Sequence, residues 1–135
     1  MELEFKYICD TIFRLYLYAD VSKMIHYSTE KNHTHQLADD LREAIEEFVD
    51  ELAEQLFGYY KKPKFSDFTS LSKLKVENID NIPALCQTLM DLTSAIRSKV
   101  KNHEKMGNVV SLIDDFQGSL NKFKFLATFD KNANV

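Results

Sequence analysis

The side chains of this chain able to do acid–base or metal chemistry crowd into one stretch, His26 to Glu54. It holds three of the four histidines (His26, His33 and His35) and, between Asp39 and Glu54, eight carboxylates. Imidazole and carboxylate together are the donor set that iron, manganese and zinc accept. Asp50 and Glu54 are one helical turn apart, so both can reach a single cation. His26, His35, Asp50 and Glu54 therefore make the candidate metal set. Each has a plainer role beside it: a solvated carboxylate pair, and for His26 a hydrogen-bonded histidine at a helix end. His33 is expected to be exposed in a turn, and His103 to serve as a charge near a helix C-terminus. Other chemistries lack their residues, since there is no glycine-rich phosphate loop, HExxH, CxxC or G-x-S-x-G.

Four amphipathic segments must position these groups. Phe5, Ile8, Ile12, Leu15 and Ala19 alternate in steps of three and four, predicting a first helix from about Glu2 to Ser28 that brings His26 to the end of its inward stripe. Phe13, Tyr16, Leu17, Val21 and Met24 cover its other sides, so a second cover, another subunit, is expected. After a polar turn, Thr34 is the expected N-cap of a second helix reaching about Tyr59, with Leu37, Leu41, Ile45, Phe48, Leu52 and Leu56 facing the core. At about 100° per residue, Asp39, Glu43, Asp50 and Glu54 then point away from that core. A site built on them has to be completed from outside the bundle.

The mixed text from Lys61 to Asn81 is expected to pack over the bundle through Phe65, Phe68, Leu71 and Leu74 with a short helical turn. Its length would let it return along a helix and make the second and third helices parallel. A third helix begins at Ile82-Pro83 and carries Leu85, Leu89, Leu92, Ile96 and Val100. After a tight turn at Met106-Gly107-Asn108, a fourth carries Val109, Ile113, Phe116, Leu120, Phe123 and Ala127, before a polar tail from Asp130 expected to fray. The expected fold is a single all-α domain over residues 1–135, a four-helix bundle with a long crossover between helices two and three.

Composition narrows the partners. A net charge of −4 disfavours nucleic acid. No apolar run approaches the ~20 residues of a membrane span. The N-terminus lacks the basic start of a signal peptide, and Cys9 and Cys86 read as buried free thiols, so a reducing cytoplasm is expected.

Asp50-Glu51-Leu52-Ala53-Glu54-Gln55 resembles the D-x-x-A-E-R motif of the Dps-like branch of the ferritin superfamily, the mini-ferritins, with Gln55 in the arginine's place. His35 precedes Asp50 by fifteen residues, as in that family, and His26 stands for its first histidine, followed by Tyr27 in place of the usual tryptophan. The two histidines are nine residues apart rather than the family's twelve. The resemblance implies a ferritin-like bundle in which histidines of one subunit and the Asp and Glu of another hold iron across a twofold interface, for oxidation and storage. No lysine-rich tail accompanies the motif, so DNA binding is not implied. The compact acidic chain is also similar to small Dps-like proteins of tailed bacteriophages.

Three functions follow as expectations. The first is an oligomeric iron-binding protein, a ferroxidase if the site is functional. The second is a non-catalytic ferritin-like scaffold or partner-binding protein, with phage origin as part of that expectation. The third is a regulator that docks a cationic partner on the acidic second helix.

Overall fold

The computed structural model describes residues 3–68 and 75–129. Among these it is helical: α1 is Phe5–Ser28, α2 Asn32–Tyr59, α3 Ile82–Val100 and α4 Gly107–Ala127. A 3-10 turn, Glu104–Met106, leads into α4, and residues 65–68 form another. None of these helices is long and apolar enough to cross a membrane.

The period-of-3.6 stripes become the core. Ile8, Ile12, Leu15 and Ala19 of α1 are buried against all six stripe residues of α2, with Leu85, Leu89, Ile96 and Val100 from α3 and Val109, Ile113, Phe116 and Leu120 from α4. Helices α1 and α2 form one hairpin and α3 and α4 a second, and the main joint between hairpins is α2 on α4. There Phe48 and Phe116 lie face to face, centroids 4.0 Å apart. The second face of α1 is covered only in part. Tyr18 is buried beneath the segment 75–80, where its hydroxyl oxygen accepts from the Glu77 N–H at 3.5 Å, while Met24 and Tyr27 stay exposed.

Helix boundaries follow local chemistry. The Ile25 carbonyl takes the Thr29 N–H (3.0 Å) as α1 ends, and Thr29 Oγ1 accepts from the Lys31 N–H (3.2 Å), closing the turn. Helix α2 therefore starts at Asn32, ahead of the expected cap: Thr34 lies buried inside the first turn and caps nothing. At α3 the Asn81 side chain accepts from the Ala84 N–H (2.9 Å), a capping bond with Pro83 in the first turn. Helix α4 begins at Gly107 rather than beyond a turn at 106–108, because the 3-10 turn supplies the bend.

The segment after α2 packs only in part as expected: Phe68 is edge-on to Phe57 and Val76 and Ile79 lie against the core, but Phe65 is 89% exposed rather than packed over the bundle. Leu71 and Leu74 lie outside the described residues, as does the tail from Asp130. Both cysteines are free and buried.

Candidate functional site

The α1–α2 turn is three residues long, Thr29 to Lys31, and so short a turn sets the register of the hairpin. It sets the end of α1 opposite the start of α2: Ser22 Oγ donates to the Ala38 carbonyl (2.7 Å), Lys23 pairs with Asp39 (3.0 Å), and His26 meets His35. The two imidazole rings stack with centroids 3.7 Å apart and planes 21° from parallel. Nδ1 of His26 lies 2.7 Å from the His35 carbonyl oxygen, and Nδ1 of His35 lies 2.7 Å from the His26 carbonyl oxygen.

This reciprocity fixes the tautomers. A carbonyl oxygen only accepts, so each Nδ1 carries and donates a proton, and each neutral ring keeps its lone pair on Nε2. The His26 carbonyl, in the last turn of α1, lacks a helical N–H and gains the His35 donor in its place. Both rings are half-buried, with Tyr27 edge-on to His26 at 5.2 Å. A ring whose Nδ1–H is tied to a carbonyl and whose Nε2 is open is oriented as metal-bound histidines usually are.

Asp50 and Glu54 are exposed on the same helix as His35, one turn from each other, and turned from the core as helical phase requires. Fifteen and nineteen residues separate them from His35, roughly 22 and 28 Å along the axis at 1.5 Å per residue. Within one chain the structure brings the histidines together and keeps both carboxylates away from them. Correspondingly, the described residues contain no group of three or more His, Cys, Asp or Glu side chains able to hold a metal ion. The carboxylates do act on α1: Tyr16 has its phenol pushed up by burial and then by the charges of Asp50, Glu46 and Glu54.

The other candidate groups have structural duties. His33 is not the exposed turn residue expected; it is half-buried in the first turn of α2, its Nε2 2.9 Å from the Leu126 carbonyl of α4. His103 is likewise more than a helix-end charge. Its Nδ1 accepts from the Lys105 N–H (3.3 Å), so in the neutral ring Nε2 carries the proton and donates to the Tyr59 hydroxyl (3.1 Å). Asp39 is half-buried, and hydrogen bonds from Lys23 and Arg42 hold its carboxyl below the ordinary range. Arg42 also pairs with Glu46.

The stacked pair is the feature that sequence reading missed. Its signal was present in the hairpin arithmetic: with a turn centred near residue 30, positions 26 and 35 fall opposite each other. No protein-family model matches this chain, no curated protein matches its sequence, and no solved structure matches its fold.

Proposed function

We propose that this chain is a Dps-like, ferritin-like iron-binding protein whose site is shared between copies, giving a homo-oligomer of at least two subunits. The observation that carries it is the His26–His35 pair, with both Nδ1–H groups spent on carbonyls and both Nε2 atoms without a hydrogen bond among the described residues. Imidazole nitrogen suits iron, and the exposed Asp50 and Glu54 supply the hard oxygen donors. Their separation from the histidines along α2 means that the imidazoles of one subunit have to meet the carboxylates of another. Topology adds support. Tyr59 at the end of α2 touches His103 beyond α3, while Asn81 and Ile82 border the same hollow as Ile25 and Thr34. Helices α2 and α3 are thus read as parallel, with 60–81 as the long crossover of ferritin-like bundles. Ferroxidase activity, with iron as substrate, and a cytoplasmic location belong to this same reading.

Anaerobic ferrous titration followed by calorimetry tests it. Saturable iron binding is expected, abolished in Asp50→Ala/Glu54→Ala and weakened when a histidine is removed. A wild-type protein that takes up no ferrous iron overturns it.

A second reading, a metal-free oligomeric scaffold, is favoured by the apolar surface on the α1 side. Ile12, Phe13, Tyr16, Phe57, Phe65 and Phe68 line a hollow of about 630 Å3, and Met24 and Tyr27 are exposed further along the same helix, towards its end. It predicts an oligomer by light scattering that chelator leaves unchanged.

A further inference from the structure

Helices α1 and α3 touch least of the neighbouring pairs, and the segment 75–80 lies over the gap. A hollow of about 370 Å3 opens there, bordered by Arg14, Tyr18, Lys75, Glu77, Thr88 and Asp91. That volume is within the range of about 300–1,000 Å3 usual for small-molecule sites, and clefts between helices of a bundle are a common place for them.

Two donors on its α1 wall are unspent. Arg14 Nε is buried with no hydrogen-bond partner, and the guanidinium makes no ion pair among the described residues. A buried donor without an acceptor is costly, so native structures rarely keep one. One turn along, Tyr18 is only 3% exposed; its hydroxyl oxygen accepts from the Glu77 N–H, and its own proton has no acceptor among the described residues. Arg14 and Tyr18 share a helical face, so both act on one side of the hollow. Lys75 and the Thr88 hydroxyl add donors, and together they describe a seat for a carboxylate. Glu77 and Asp91 add negative charge to the same border. Asp91 Oδ1 accepts from Gln87 Nε2 (2.9 Å), leaving its second oxygen for a cation. Two positive and two negative side chains on one border fit a ligand that carries one charge of each sign better than a simple anion.

We propose that this hollow binds a small zwitterion of the amino-acid class, its carboxylate on Arg14 and Tyr18 and its ammonium toward Asp91 and Glu77. The site lies on the α1–α3 side and uses none of the candidate iron ligands. Its test is run on metal-free protein with chelator present, so the iron reading and this one fail separately. Amide resonances of the full chain are followed while the common L-α-amino acids are added, each beside its N-acetyl and methyl-ester derivatives. At least one amino acid is expected to shift the resonances of Arg14, Tyr18, Thr88 and Asp91 saturably. Both capped derivatives should bind at least about tenfold more weakly, each having lost one charged contact. Arg14→Met and the surface variant Asp91→Asn should weaken binding to a similar degree while melting like the wild type. The proposal is overturned if no amino acid shifts those resonances, if an N-acetyl or ester derivative binds as well as its parent, or if Asp91→Asn binds unchanged.

Discussion

Two histidines that each donate to the other's main chain behave as a clasp over the α1–α2 turn. Removing either ring unstacks the other and leaves one carbonyl without its side-chain donor, so each loss acts on both residues. His35→Ala, which orphans the His26 carbonyl, should cost about 1–3 kcal/mol in denaturant unfolding, and His26→Ala less, because the His35 carbonyl keeps its donor inside α2. The double variant should cost less than the sum, because the second ring has little left to lose. Strict additivity would show that the rings act independently. The cysteines give a second residue-scale expectation. Burial pushes the Cys86 thiol up to about 12, and Cys9 is raised as well, first by burial and then by Asp67 and Asp10. The thiol form dominates in the native state throughout neutral and mildly alkaline pH, so a thiolate-specific reagent should react slowly at pH 8 and promptly once urea exposes both. Rapid labelling of Cys86 in the native protein would contradict its burial.

At the scale of elements, sequence patterning was a reliable guide wherever one physical rule governs. The stripes of α2 and α4 were legible because burial on one face forces a 3.6-residue period, and nothing polar interrupts Leu37 to Leu56. Ends were harder to read. Asn32 and His33 suit a first helical turn as well as a loop, and the choice was made by the Thr29–Lys31 bond and by the His33 contact with Leu126. That contact joins residues 93 apart, beyond the reach of local pattern. The candidate site was half legible: the residue types and the outward phase of Asp50 and Glu54 could be read directly. The His26–His35 stack depends on the hairpin register, and a one-residue change in the turn would have dissolved it. Stripe residues can be ranked by what they join. Phe48 is at the seam between hairpins, so Phe48→Ala should cost about 3–5 kcal/mol, the range for truncating a buried phenylalanine. Met24→Ala, at 56% exposure, should stay within about 0.5 kcal/mol. Equal losses in the two unfolding curves would deny Phe48 that role.

The whole molecule is two hairpins, each stitched by ion pairs and joined to the other mainly through apolar surface, with the His33–Leu126 and His103–Tyr59 hydrogen bonds beside it. Lys23 and Arg42 hold Asp39 in the first hairpin, and Arg97 holds Asp114 in the second, at 2.7 Å. In both, hydrogen bonds from the cationic partners keep the carboxyl below its ordinary value of 3.8. A folded-state value lower than the unfolded one makes a contribution that is complete above the unfolded value and is lost as pH falls through the folded one. Stability should therefore decline from about pH 4 downward, gently, because both carboxylates face solvent and exposed pairs contribute little. The apolar part of the joint between hairpins carries none of this dependence. Phe48 against Phe116, with Leu41, Ile45, Ile113 and Leu120 around them, is unaffected by protonation. Acid should therefore lower the urea midpoint without dissolving the helices, and circular dichroism at pH 3 should keep its helical signal. Asp39→Asn with Asp114→Asn should lower the neutral midpoint slightly and flatten the acid limb. A double variant whose acid limb is as steep as the wild type's would place the acid-sensitive groups elsewhere in the molecule.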